Sequence, residues 1–337
     1  MRTALRTVWL GITLIALASA LLLASDLDRR QAPTTAPQPR LAVLQWAATP
    51  LLDNTVAGIL EGLRRQGFEA GRTADIQLFN AGGDNATGNA LARELTGGRY
   101  TMVLTASTLA LQAVAQANRT TRVLHVFGGV TDPYGAGVGI DGARADQHPP
   151  HLVGVGTFQP VERAFRVARQ INPNLRRVGV VWNPGESNSE ACLAKARAIC
   201  RELGIELVEA QAGNSAEVPE AVRSVLARQV QALWIGGDTV AIAALAGLVS
   251  AGRAAGVPVF TNDPSDVGRG ALFGVGASYR QVGIAVGEMG GQILKGADPR
   301  RFGVENLVPE VLAVSDSLAG PWRRDWQVPD SLRAAAG

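Results

Sequence analysis

The chain has 337 residues, with 32 Lys and Arg against 29 Asp and Glu and a formal charge of +3. Its pI near 9.2 comes with no basic patch or aromatic-interleaved basic motif, so the charge does not point to nucleic acid. The two cysteines, Cys192 and Cys200, fall on one expected helix about 12 Å apart at 1.5 Å per residue, which excludes a disulfide between them.

Met1 to Ala24 carries Arg2 and Arg6, an uncharged run from Val8, and the small residues Ala18, Ser19 and Ala20. That is the pattern of an export segment. Residues 1–25 read as a signal peptide or, because the run is marginally long enough to span a bilayer, as an N-terminal membrane anchor. No cysteine stands directly after it, so anchoring through an N-terminal lipoprotein cysteine is not expected. Residues 26–39, rich in Pro, Thr and Gln, read as a disordered linker. Loss of residues 1–20 removes two arginines and no acid, leaving a charge of about +1 and roughly 300 residues, enough for two domains.

From Leu41 short apolar strands alternate with amphipathic helices, the signature of a parallel sheet covered on both faces. The first half reads strand 41–44, helix 53–66, strand 75–80, helix 86–96, strand 100–105, helix 108–118, strand 122–127. The second repeats that order: strand 178–182, helix 187–203, strand 205–210, helix 215–228, strand 231–235, helix 239–255, strand 257–260. Residues 271–279 read as a strand or crossover, 280–295 as a helix and 307–314 as a last strand, with 141–151 a surface excursion. The fold class is α/β: two doubly wound, Rossmann-like parallel-sheet lobes joined by a multi-strand hinge that permits closure. Expected boundaries are 40–156 plus 274–305 for the N-terminal lobe, 157–273 plus 306–320 for the C-terminal lobe, and 321–337 for a tail.

Each strand end releases a polar loop, and open α/β sheets hold ligands there. In the first half the candidates are Gln45 and Trp46, Asp84, Ser107 and Thr108, and Asp132 beside Thr131. In the second they are Ser187 and Asn188, Asp238 and Thr239, and Asp263. Ser187 and Glu190 are spaced as a capping box at the start of a helix. Hydroxyls and amides at helix starts suit an anion, because free N–H groups and the positive helix end point at it. Carboxylates such as Asp132, Asp238 and Asp263 suit an ammonium. Each of these side chains also has a local use as a cap or turn residue, but together they describe a site for a zwitterion.

Catalytic chemistry is not evident. His125, His148 and His151 have no ligand spacing with Cys or carboxylate, and Ala81-Gly82-Gly83-Asp84 lacks the Lys and spacing of a phosphate loop. No serine sits in a nucleophile elbow with a placed histidine. Residues 1–39 offer no helix-turn-helix, so a repressor is disfavoured. A racemase or hydrolase would need a catalytic pair across the cleft, which two cysteines on one helix do not supply. The expectation is binding without reaction, with no cofactor and no metal.

At these residues the chain resembles a family, the substrate-binding proteins of ABC transporters of the tryptophan/tyrosine-type group, with the periplasmic binding protein type I fold. The resemblance spans about Leu41 to Val314. It is carried by Asp53 to Gly67 with Gly58, Gly62 and Gly67, by Asn80 to Thr87, by Val130 to Gly137, by Gly185 to Ser189, by Asp238 to Val240 and by Pro258 to Asp263. It implies a periplasmic, monomeric receptor that closes on a small amino-acid-like ligand and delivers it to a membrane permease. Held by an uncleaved anchor, the same lobes would serve instead as a ligand sensor. On that resemblance Ser107, Thr108, Ser187 and Asn188 would hold a carboxylate, and Asp238 or Asp263 the amine. One departure stands out: many relatives place an acid and a histidine before the proline of the first loop, where this chain has Ala48 and Thr49 before Pro50.

Overall fold

Strands that bury unbroken apolar runs need cover on both faces, and Leu41 to Leu44 and Val178 to Trp182 are buried at every position. In chain order the strands are β1 Arg40–Gln45, β2 Asp75–Asn80, β3 Met102–Ala106, β4 Leu124–Val130, β5 Leu152–Gly156, β6 Arg177–Trp182, β7 Glu206–Gln211, β8 Ala232–Ile235, β9 Val259–Thr261, β10 Phe273–Ala277, β11 Glu305–Asn306 and β12 Glu310–Val314. They form two six-stranded sheets, β11-β5-β4-β3-β1-β2 and β12-β10-β9-β8-β6-β7. All pairs are parallel except β10 with β12. This computed structural model describes residues 9, 15–21, 38–142, 144, 146–315 and 325–335. Residues 1–38 form a separate unit, with 15–21 helical. The rest of the export segment expected at 1–25, and nearly all of the linker, lie outside the described residues. No helix among the described residues is long and apolar enough to cross a membrane.

The two doubled halves of the sequence are thus two α/β lobes, with four differences of detail. The first helix starts at Pro50, earlier than expected, because Thr49 caps it through Oγ1 and proline suits the first helical turn. The helix expected over 239–255 divides at Ala244 into Thr239–Ala243 and Leu245–Ala254. The sequence reading assigned nothing between 152 and 177, where β5 and the strongly amphipathic helix Val161–Ile171 lie. Finally, Ser187 does not cap its helix. Glu186 stands at that position, and its carboxylate turns instead to a neighbouring loop.

The chain passes between the sheets three times, after β5, after β10 and between β11 and β12. The strand β10 therefore lies on the second sheet and Asn306 on the first, a shift of a few residues from the expected lobe boundaries. The crossings brace one another, Leu307 N donating to Gly156 O at 2.8 Å and Ser278 N to Pro309 O at 2.9 Å.

Helix Tyr279–Leu294 follows the second lobe in sequence but packs on the first lobe's helix Pro50–Arg65. Glycine makes that return possible. A Cβ at Gly58 would meet Arg280 O at 2.2 Å, one at Gly62 would meet Ile284 O at 2.2 Å, and one at Gly287 would meet Ile59 O at 2.2 Å. The backbones touch, and ion pairs from Glu61 to Arg280 and from Arg65 to Glu288 flank the seam. The second lobe's core is centred on Phe165, Trp234, Phe260 and Phe273, with ring centroids 5.1 to 5.4 Å apart in contacting pairs.

Candidate functional site

In each sheet the strand order reverses once, between β1 and β3 and between β6 and β8. Such switch points leave a crevice outside the carboxyl ends of the strands. The loops leaving all four of these strands border one cleft, about 490 Å³ with the solvent at its mouth. From the first lobe come Thr49, Leu51 and Leu52, then Ser107, Thr108 and Leu109, then Gly129 and Thr131. From the second come Asn188, Gly237, Thr239 and Ile242, and the crossings add Gln159 and Tyr279. A wider hollow, about 1370 Å³ with its solvent, under residues 136–152 draws no wall from the second lobe, so the switch-point cleft is the better site.

The first lobe presents a helix start. Ser107 caps the helix Thr108–Ala117, its Oγ accepting from Ala110 N at 3.2 Å, and its carbonyl accepts from Leu111 N at 3.0 Å. The N–H groups of Thr108 and Leu109 belong to the first turn and have no partner within the helix. They sit where the wall of the cleft is formed by their own residues. Ser107 has φ 114°, a region L-residues avoid at about 1–3 kcal/mol. Strain of that kind collects where function fixes the backbone.

The second lobe presents an amide backed by buried acids. Asn188 Nδ2 donates to Glu186 Oε2 at 3.1 Å and to Gly237 O. Its Oδ1 is buried and has no partner. Glu186 also accepts from Thr239 N at 2.9 Å and from Asn183 Nδ2 at 3.2 Å. Asp238 accepts from Asn183 N and Ser189 Oγ at 2.6 Å each and from Ala241 N at 2.7 Å. Burial pushes both carboxyls above the usual range, and the charge of Asp238 raises Glu186 further.

Of the residues singled out in the sequence, Ser107, Thr108, Thr131, Asn188 and Thr239 come together on the cleft. The others are placed elsewhere. Gln45 Nε2 is bound to Ala47 O at 2.7 Å and Asp53 Oδ1 at 2.6 Å. Trp46 is turned down into the first lobe against Gly88, where a Cβ would meet the indole at 2.2 Å. Asp84 caps its helix at Thr87 N, and Asp132 holds Tyr134 N and Gly135 N. Asp238 spends its oxygens on its own lobe. Ser187 Oγ accepts from Gln112 Nε2 at 3.4 Å, a contact between the lobes. Asp263 borders a neighbouring space, of about 540 Å³ with its solvent, that shares Leu51 and Tyr279 with the cleft. One of its oxygens holds Ser265.

Sequence reasoning missed Gln159 and Tyr279, which lie on crossings rather than at strand ends. It also missed Leu51, Leu52 and Ile242, whose apolar spacing reads as core. The one available signal was Tyr279 directly ahead of a helix rich in glycine. Among the described residues no group of three or more His, Cys, Asp or Glu is arranged to hold a metal ion.

Two α/β lobes joined by three crossings and bordering a cleft of donors, acceptors and apolar side chains have the periplasmic binding protein type I architecture. The profile of the family described as ABC transporter substrate binding protein matches residues 40–319, and the chain belongs to that family. It is similar to a tyrosine-binding protein of Clostridioides difficile, 22% identical over 283 residues that cover 83% of this chain and 80% of the relative. Among solved structures it is similar to a conserved domain protein of Vibrio cholerae at 29% identity and TM-score 0.82, covering 89% of this chain and 98% of that one. A Streptococcus pneumoniae ABC domain in complex with L-Trp has 23% identity and TM-score 0.82, with 89% and 99% covered. The family is one of substrate-binding proteins, not enzymes.

Proposed function

We propose that this chain is the exported receptor of an ABC importer, taking a zwitterionic amino acid with a large apolar side chain and delivering it to a permease. The observation that carries this reading is the opposition of two unpaired sets across one cleft. Thr108 and Leu109, whose N–H groups have no helix partner, line the cleft from one lobe, and Asn188, whose buried Oδ1 has no partner, lines it from the other. The first set suits a carboxylate and the second an ammonium. Leu51, Leu52, Leu109 and Ile242 supply apolar wall between them, and the tyrosine- and L-Trp-binding relatives support an aromatic side chain. Asn188 thus goes to the amine, whereas the sequence reading set it on the carboxylate.

Binding stabilises the closed arrangement because only that arrangement supplies both sets, and the permease reads the closed form. Residues 1–25 direct export, and the receptor works as a monomer. The test is a thermal-shift and calorimetric screen of L-tyrosine, L-tryptophan, other amino acids and small aromatic acids on protein stripped of carried-over ligand. A true ligand at a hundredfold excess over Kd adds about 2.7 kcal/mol of stability. A screen with no amino-acid response defeats the assignment. The mass of exported protein tests the N-terminal reading, an intact Met1 end favouring an anchor.

A further inference from the structure

Glu186 does not border the cleft and is 4% exposed, yet it contacts the residue that does. We infer that Glu186 is a positioning residue, holding the Asn188 amide so that Oδ1 rather than Nδ2 is turned to the ligand. This deepens the proposed function and rests on it for the ligand's ammonium, though not for the orientation itself.

The orientation follows from donor and acceptor chemistry. An Asn amide has two donor hydrogens at one end and an acceptor at the other. Both neighbours of Nδ2, the Glu186 carboxylate and the Gly237 carbonyl, are acceptors. Turning the amide over would set its oxygen against two oxygens. Oδ1 is therefore the end left over, and it is the one buried side-chain atom among the described cleft residues without a partner.

Glu186 is itself pinned. Thr239 N, from the loop after β8, and Asn183 Nδ2, from the loop after β6, both donate to it. One carboxylate thus joins the two second-lobe loops at the switch point and passes their alignment to Asn188. Burial beside Asp238 makes that carboxylate unfavourable to keep, which is hard to account for by packing alone. An amide held this way commits the cleft to a ligand group that donates, and it rejects a ligand that offers only an acceptor there.

The experiment compares Glu186→Met, which keeps volume and removes both acceptors, with Glu186→Gln, which keeps one oxygen for Asn188. Two readouts are used. The first is hydrogen exchange of the Asn188 side-chain NH₂ by NMR on unliganded protein. The second is the affinity ratio of L-tyrosine and L-tryptophan over 3-(4-hydroxyphenyl)propionate and indole-3-propionate, which lack only the amine. Expected are fast exchange and a roughly tenfold or larger loss of the ratio in Glu186→Met, with both largely kept in Glu186→Gln. Wild-type exchange and an unchanged ratio in a folded Glu186→Met would show that Gly237 alone holds the amide, and the inference falls. If wild type binds neither amino acid, the proposed function fails while the exchange readout still decides the role of Glu186. Should Glu186→Met not fold, Glu186→Ala, which also removes both acceptors, takes its place: fast Asn188 NH₂ exchange there supports the inference, and wild-type exchange overturns it.

Discussion

Gln159 Nε2 donates to the Tyr279 hydroxyl at 3.1 Å, tying the first crossing between the lobes to the second where both line the cleft. Both side chains are buried, and burial pushes the Tyr279 phenol well above its ordinary range, so it stays neutral at any working pH. Tyr279→Phe leaves Gln159 Nε2 unpaired while its Oε1 keeps Cys192 Sγ, which costs about 1–3 kcal/mol. The expected outcome is a lower urea midpoint by that amount and weaker ligand binding. An unchanged midpoint would mean that water replaces the phenol.

The glycine seam separates steric from conformational roles. Gly62→Ala and Gly287→Ala press a methyl onto opposing backbone, which cannot move aside as a flexible side chain can. Each is expected to lose about 1–3 kcal/mol or more. Gly247 lies within helix Leu245–Ala254 with nothing near its Cβ position and no left-handed φ. Gly247→Ala should therefore gain about 0.4–1 kcal/mol by restricting the unfolded chain. Chemical denaturation of the three variants checks the contrast, and equal losses at all three positions would remove the steric account.

Much of this architecture was legible because a strand buried on both faces must be apolar throughout. The runs ending at Gln45, Ala106, Trp182 and Ile235 mark the strand ends whose loops meet at the cleft. The fate of each polar residue beyond them was not legible. Asp238 and Asn188 both follow a strand within a few residues, yet one is consumed by Asn183, Ser189 and Ala241 and the other keeps a free oxygen. That difference depends on contacts between loops about fifty residues apart. Trp46 lies past its strand end as a cleft residue would, but Gly88 leaves room beneath it and the indole takes that place. Gln159 and Tyr279 depend on where the chain crosses between lobes, which local periodicity does not encode.

Strain and capping act against each other at Ser107. Ser107→Ala loses the hydrogen bond to Ala110 N and keeps φ 114°, so it should cost about 1 kcal/mol. Ser107→Gly loses the same bond, but glycine accepts that φ without strain and replaces a capping residue at a cost of a few tenths. The glycine variant is expected to be more stable than the alanine variant by about 1–2 kcal/mol. Equal denaturation midpoints would indicate that the backbone relaxes at this position.

His125 is buried, with Nε2 2.9 Å from Thr105 Oγ1 and Nδ1 without a partner. Burial first, and then the charge of His151, depress it to about 3. Its neutral form is the one that folds. Above about pH 6.5 the ring is neutral in both states and contributes no pH dependence. As pH falls toward 3 the unfolded chain takes up a proton that the folded protein refuses, so stability drops by about 1.4 kcal/mol per unit. The buried acids act in the opposite sense. Glu186 and Asp238 are raised, and Asp266 is raised to about 6 by burial and Asp263. Their contribution is full below the unfolded carboxyl range and is lost as pH rises through their folded values. The two effects overlap between pH 4 and 6.5, so the stability of wild type alone does not isolate the histidine. The informative quantity is wild type minus His125→Gln, a variant that keeps a donor near Thr105 and cannot titrate. That difference should fall by about 2–3 kcal/mol from pH 7 to 4.5 in urea unfolding, and a flat difference would mean that His125 is protonated within the fold.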